Sequence, residues 1–372
     1  MIIILLPVVL FLLLCFITIE IKSASYSKKW TNNFELEVAF SEEQAAEGDT
    51  LYLYETITNN KDMILPAVCV RFKTSRFLKF TDLESGTVSD YFYRNDILSV
   101  RGYEKVRRKL KFKCMRRGIY SINEAELVGH DYFLRRKYIE KRELNASLIV
   151  YPSFVDVKRI IPVFQKSYGE LSSNMPMFED PFEYIGVRDY VPGDAMSRIN
   201  WKASARTGIW QVRTSAYTAS EPALILLNLE SPGAFTNYGA MEENIKIAYS
   251  LVYFLDQRGI TTTLAANDRE GLRVSGNGRG HIANVRRLLA TISYEKQTRT
   301  GAEFLQRELE KVSENQHVFF ISAAGKKEIQ QRVAEFVRRG CSVTWAATIS
   351  GGEDDTKDLM QGMEKHMVRW KV

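Results

Sequence analysis

Two hydrophobic periodicities meet in this chain and restrict its fold more than length or composition does. From Trp30 to Pro152, apolar and polar residues alternate in short runs at Phe34 to Phe40, Thr50 to Thr58, Leu65 to Phe72, Tyr91 to Val100, Leu110 to Cys114 and Ala146 to Tyr151. Turn-forming residues separate these runs at Glu47-Gly48-Asp49, Asn59-Asn60-Lys61-Asp62, Arg117-Gly118 and Leu144-Asn145. Such punctuation predicts an antiparallel, immunoglobulin-like β-sandwich over residues 30–152. From Glu221 the pattern changes. Ala223 to Leu229 is continuously apolar, and Met241 to Gln257 carries Ile245, Ala248, Leu251, Val252 and Leu255 on one helical face. Strands at Thr261 to Ala266, Leu272 to Ser275, Val318 to Ser322, Ser342 to Ala347 and Met367 to Lys371 alternate with helices at His281 to Ser293, Gly301 to Ser313 and Lys326 to Arg339. That order predicts an α/β domain over residues 221–372, with a parallel sheet covered by helices on both faces.

The chain has 372 residues, 45% hydrophobic and 26% charged, which excludes wholesale disorder and supports two or three cores. Ile2 to Ile19 is an uninterrupted apolar run, close to the ~20 residues a membrane-crossing helix needs. It predicts a single-pass transmembrane anchor over residues 1–20. Lys22, Lys28 and Lys29 follow the run, with Trp30 as an interfacial anchor, which places the remainder in the cytoplasm. A cleaved signal peptide is the rival reading. It is disfavoured because no Lys or Arg precedes the run and the run exceeds the usual ~7 to 15 apolar residues. A start directly at the apolar run is also what a chain with an earlier helix ahead of it would show. Cys15, Cys69, Cys114 and Cys341 lie in apolar surroundings without any CxxC spacing, as expected of a reducing compartment without structural zinc.

Charge is uneven along the chain. Arg101 to Arg142 holds 14 Lys or Arg against five Asp or Glu. Within it Lys109, Lys111 and Lys113 alternate with Leu110, Phe112 and Cys114, as one solvated and one buried face of a strand would. A solvated face that discourages edge pairing accounts for this, and contact with anionic lipid headgroups is the functional reading. Nucleic acid is not expected as a partner.

Residues 153–220 read as a linker, rich in Ser, Asn, Met and Pro from Gly169 to Phe182, followed by a dense motif from Glu183 to Arg213. Pro192-Gly193 has the form of a tight turn. Asp194 suits the N-cap of a helix from Ala195 to Ala205, which Gly208 closes. On that helix Arg198 and Lys202 share one face, and Trp201 shares a neighbouring face with Ala205. Arg188 and Asp189 stand before the turn, where either can pair with Asp194 or Arg206. The motif is expected to be an interdomain clasp and a docking surface at once, with Trp201 inward and Arg198 and Lys202 outward.

The string GVRDYVPGDAMSRINWKASART closely resembles the hallmark of the MoxR-associated membrane proteins catalogued as domain of unknown function 58. Arg116-Arg117-Gly118-Ile119-Tyr120 and Val150-Tyr151-Pro152 are similar to weaker features of that family, so the resemblance runs over nearly all of the chain after the first helix. Two departures stand out. Many relatives show an Asp-Pro-Phe-Gly-like turn where this chain reads His130-Asp131-Tyr132-Phe133-Leu134, and relatives usually begin with two membrane helices.

The resemblance implies a C-terminal domain similar to von Willebrand factor A. Metal-holding members of that fold end their first strand in Asp-x-Ser-x-Ser, a set of hard oxygen ligands. Here Asn228 stands at the Asp position, Glu230 at the first Ser and Pro232 at the second, and Ala323 follows the later strand where a further acid is expected. The metal site is therefore expected to be degenerate, with no metal, no cofactor and no thermal shift on adding divalent cations.

Other motifs are weak. Gly276 to Gly280 lacks the Lys-Ser/Thr ending of a phosphate loop. His130, His281, His317 and His366 are scattered, and no GxSxG occurs. The resemblance implies a MoxR-type AAA+ ATPase as partner. The expected function is thus that of a membrane-anchored, non-enzymatic interaction or adaptor protein in chaperone-like assembly or envelope maturation. The alternative is an enzyme or ligand sensor that acts on an envelope component through Asp189, Asp194 or Glu230.

Overall fold

The computed structural model describes residues 2–81, 91–93, 96–168, 179–190, 196, 199–217, 222–231, 238–268, 271–293, 299–314, 316–349 and 359–372. The chain divides into two compact units, Met1–Ser153 and Phe154–Val372.

The first unit opens with helix α1 (Ile2–Lys29) and continues with β1 (Phe34–Phe40), β2 (Gln44–Ala46), β3 (Thr50–Asn59), β4 (Leu65–Ser75), β5 (Leu78–Phe80), β6 (Tyr91–Tyr93), β7 (Asp96–Val100), β8 (Lys105–Cys114), β9 (Gly118–His130) and β10 (Lys137–Tyr151). One sheet runs β1-β3-β8-β5 and the other β2-β10-β9-β4-β6, with β7 also paired to β4. Period-two alternation explains their common core. Leu53, Ile57 and Phe112 from the first sheet and Ile122, Leu127 and Leu148 from the second are buried in one cluster, each contributing ~1.5 to 3 kcal/mol of hydrophobic stabilisation.

The structure corrects several expectations for this unit. It is not purely antiparallel, because β2 runs parallel to β10. The expected break at Leu144-Asn145 is a β-bulge inside β10, where Glu143 faces Glu124 and Ala146 already faces Ile122. An extra residue on one strand mimics a turn in sequence by breaking the alternation. The same irregularity concealed β9, whose buried positions change phase between Ile122 and Ala125.

The transmembrane expectation is corrected as well. Among the described residues, no helix is long and apolar enough to cross a membrane. From Glu20 onward α1 turns polar and packs on its own unit. Ser23 and Tyr26 are buried, Ser23 Oγ donates to Asp131 Oδ2 at 2.9 Å, and Glu20 pairs with Arg135 and Arg136.

The second unit comprises α2 (Val157–Tyr168), β11 (Glu179–Asp189), α3 (Trp201–Thr207), β12 (Gln211–Tyr217), β13 (Ala223–Leu227), α4 (Tyr238–Asp256), β14 (Thr262–Ala266), β15 (Arg273–Gly276), α5 (Gly278–Thr291), α6 (Gly301–Leu309), β16 (His317–Ser322), α7 (Lys327–Arg338), β17 (Ser342–Ile349) and β18 (Met367–Lys371). Its main sheet has the order β15-β14-β13-β16-β17-β18. The sheet is mixed, since β15 runs antiparallel to β14, so the parallel, von Willebrand factor A-like sheet expected from sequence is not what this unit has. Strand β13 is buried along its whole length because both faces are covered. Ile225 and Leu227 join α2, α4 and α5 side chains on one face, and Leu224 and Leu226 join Phe304, Leu305, Val333 and Phe336 of α6 and α7 on the other. Helix α2 occupies part of what sequence predicted as linker, and β11 and β12 form a separate two-stranded sheet.

Candidate functional site

Strand order places two neighbouring strand ends, those of β13 and β16, where the connections diverge to opposite sides of the sheet. Open α/β sheets bind ligands at such switch points. Asn228 and Ser322 stand there, both fully buried. Backbone groups set the direction of every bond in the cluster. Asn228 Oδ1 accepts from the amide of Glu230 at 3.2 Å, so its Nδ2 is the end that donates to Ser322 Oγ at 2.9 Å. Ser322 Oγ in turn donates to the carbonyl of Ala324 at 2.8 Å. Asn267 Oδ1 accepts from the Leu229 amide at 2.6 Å, which leaves its Nδ2 to donate to Asn228 Oδ1 at 2.6 Å. The result is a closed relay of neutral groups, satisfied as buried polar atoms must be.

Glu230 lies at the rim of this relay. Its Oε2 accepts from the Gly301 amide at 2.6 Å and its Oε1 from Lys326 Nζ at 2.7 Å. The carboxylate thus occupies the N-terminus of α6, where the helix dipole favours negative charge. Thr300 and Glu303 complete a capping box at the same helix start. An Asn amide that donates inward and a carboxylate already paired with an ammonium are poor ligands for a hard cation. Among the described residues there is no group of three His, Cys, Asp or Glu placed to hold a metal. Ala323 is buried beside Ser322, and Pro232 lies outside the described residues. Sequence reading named Asn228 and Glu230 but missed Asn267, Ser322, Gly301 and Lys326. The usable signal was a polar residue at the carboxyl end of three apolar strands, at Asn228, Asn267 and Ser322.

The Glu183 to Arg213 motif is built differently from expectation. Pro192, Gly193, Asp194 and Arg198 lie outside the described residues, as does the side chain of Arg188. Helix α3 begins later than predicted, with Asn200 as its cap, and the Asn200 side chain accepts from the Ala203 amide. Gly208 closes it in the left-handed conformation, at φ 72°, as the glycine at that position implied. The helix is then stitched to β12. Ser204 Oγ donates to the Asn200 carbonyl at 2.9 Å and accepts from the Gln211 amide at 2.8 Å, and Ile199 bridges Val212. Asp189 accepts from the Gln211 side chain.

Trp201, expected inward, is 64% exposed. Ile199, Ser204 and Val212 hold the buried positions instead. Val187, Met196, Ile209 and Trp210 are exposed as well, with Tyr190 edge-on to Trp210 at 5.4 Å. Lys202 and Arg206 are exposed beside them, and neither forms an ion pair with a described residue. A short segment that exposes five large apolar side chains between free cations is unusual for a solvated surface.

The weaker motifs resolve into structure. Gly278 donates its amide to Asp256, so the glycine-rich stretch begins α5 with that amide already engaged by a carboxylate of the same unit. His281 is buried, its Nε2 lies 2.9 Å from Thr262 Oγ1, and burial lowers its pKa against the opposing effect of Asp256.

These two places fall within one family segment. Residues 186–334 match the family described as "Protein of unknown function DUF58", and the chain therefore contains a DUF58 family domain. No match was found among curated proteins. Among solved structures, a non-cellulosomal cohesin from Archaeoglobus fulgidus is 11% identical, with 31% of this chain and 91% of that chain covered and a TM-score of 0.22. The CARDB domain of a Pyrococcus furiosus protein, in complex with di-metal ions, is 13% identical, covers 32% of this chain and 90% of that chain, and scores 0.23. A PapD-like domain of human CEP192 is 14% identical over 32% of this chain and 86% of that chain, at 0.20. At TM-scores this low none bears on what this chain does.

Proposed function

We propose that this chain is a non-enzymatic interaction protein that works with a MoxR-type AAA+ ATPase at the cytoplasmic face of a cell membrane, in chaperone-like assembly or envelope maturation. The observation that carries this reading is the exposed patch of Trp201, Trp210, Ile209 and Met196 beside Lys202 and Arg206. Trp and Arg dominate binding hot spots, and a rigid display lowers the ordering cost of association. Asn200, Ser204 and Gly208 provide that rigidity by capping and stitching α3. The strand-end relay serves as a scaffold within the family domain, its polar groups spent on one another.

The partner is implied by the family resemblance rather than by geometry, so the test is direct. The full chain with Trp201→Ala and Trp210→Ala is titrated with a MoxR-type AAA+ ATPase, and each change is expected to weaken binding by about 2 kcal/mol, roughly 30-fold. Unchanged affinity in variants with unaltered circular dichroism would remove the docking role of the patch.

A further inference from the structure

The outer face of the four-stranded sheet carries a charge pattern that the docking patch leaves unexplained. Strand β8 alternates strictly, so Lys105, Arg107, Lys109, Lys111 and Lys113 are all exposed, while Leu110, Phe112 and Cys114 point into the core. Two residues of extended chain span ~6.7 Å. The five cations thus form a row about 27 Å long. Pairing extends it sideways, because Lys79 of β5 lies directly opposite Lys113, a like-charge arrangement that destabilises a sheet. None of these six cations forms an ion pair with a described residue. The acids on this face, Glu35 and Glu37, sit on β1, across the intervening Thr58 and Thr56 from Lys105 and Arg107. Protection of a free edge does not explain the far end of the row, since Lys113 and Lys79 lie within the β5–β8 pairing.

We propose that this face binds the surface of a bilayer rich in anionic headgroups. Tyr52 and Tyr54 stand among the cations, but Lys109 Nζ lies 3.7 Å from the Tyr52 ring centre and the Arg107 guanidinium 4.3 Å from that of Tyr54. Rings already covered by cations are not free platforms for base stacking, which single-stranded nucleic acid binding requires. An open, pleated face with a two-dimensional spread of lysines fits a headgroup plane instead. The same unit supplies a second membrane signal in α1, where Leu10, Phe11, Leu14, Phe16 and Ile17 are exposed. An apolar element combined with a polybasic patch is the pairing that gives stable peripheral attachment. This inference is independent of the ATPase partner, because it concerns a different unit.

The test is co-sedimentation of the full chain with vesicles of equimolar phosphatidylglycerol and phosphatidylcholine, and with phosphatidylcholine alone. Each cation near an anionic surface contributes roughly fivefold in affinity. The triple variant Lys109→Gln, Lys111→Gln, Lys113→Gln is expected to lose about 100-fold on anionic vesicles, with binding to phosphatidylcholine unchanged. Lys→Arg at the same three positions should preserve anionic binding and shows that the face still folds. A control triple in the second unit, Lys327→Gln, Lys365→Gln, Lys371→Gln, has the same charge change and should retain it. The proposal is overturned if the β8 triple binds anionic vesicles like the wild type, if the control triple loses as much, or if single-stranded nucleic acid displaces the vesicles from the wild type through these same lysines.

Discussion

Gly301 shows how tightly a single residue can be bound to its surroundings. A Cβ built there would stand 2.7 Å from Asn228 Nδ2 and 3.0 Å from Glu230 Oε2. Ala is intrinsically the better helix residue by ~1 kcal/mol. Steric conflict should nonetheless win, because the neighbouring amide is buried and held by Asn267, Ser322 and the Glu230 backbone. Gly301→Ala is expected to destabilise the chain by about 1 to 3 kcal/mol, the usual cost of overpacking a filled interior, read as a lower urea midpoint with an unchanged slope. A gain in stability would show that the relay is loose. The glycine itself was visible in sequence at the start of an expected helix. Its reason was not, since Asn228 and Gly301 are 73 positions apart by their numbers and only the sheet order brings them together.

At the scale of an element, α1 is held by a buried carboxylate. Burial pushes the Asp131 carboxyl up, but hydrogen bonds from Ser23 and from the amides of Arg135, Arg136 and Phe133 outweigh it and hold the group below the usual carboxylate range. A depressed folded value means that the bonds stabilise the fold fully above the unfolded pKa of ~3.9. That contribution is lost as pH falls through the folded value. Amide exchange of residues 20–29, corrected for intrinsic rates, should therefore lose protection as pH falls below ~4. Asp131→Asn should cost about 1 to 3 kcal/mol at neutral pH and remove most of that acid dependence. Equal acid sensitivity in the variant would assign the effect to other groups. Sequence showed the His130-Asp131-Tyr132-Phe133-Leu134 turn as a departure from the family pattern. Its role in receiving Ser23 depends on a pairing across 108 positions, which no local spacing encodes.

At the scale of the whole molecule, the two units have separate cores. Phe112 is fully buried in the first unit, and Phe→Ala in such a site costs about 3 to 5 kcal/mol. Phe112→Ala is expected to lower one calorimetric transition and leave another in place, because multidomain chains depart from two-state unfolding. A single transition that shifts as a whole would show that the units unfold together. The β-rich beginning, the α/β ending and the family segment were all legible in sequence, because alternation, apolar strands and a long motif are local patterns. Mixed strand direction was not, since a short strand such as β2 or β15 reads the same whether it runs parallel or antiparallel to its neighbour. The same limit governed the sites. Sequence alone determined which residues were polar at the strand ends and which residues made the motif dense. Tertiary structure decided that Asn228 and Glu230 are engaged by partners far along the chain, that Trp201 faces solvent, and that α1 is docked by its polar half. The physical reason is common to all three: burial and pairing are set by which distant segments approach, and hydrophobic periodicity states only which face must be covered, not by what.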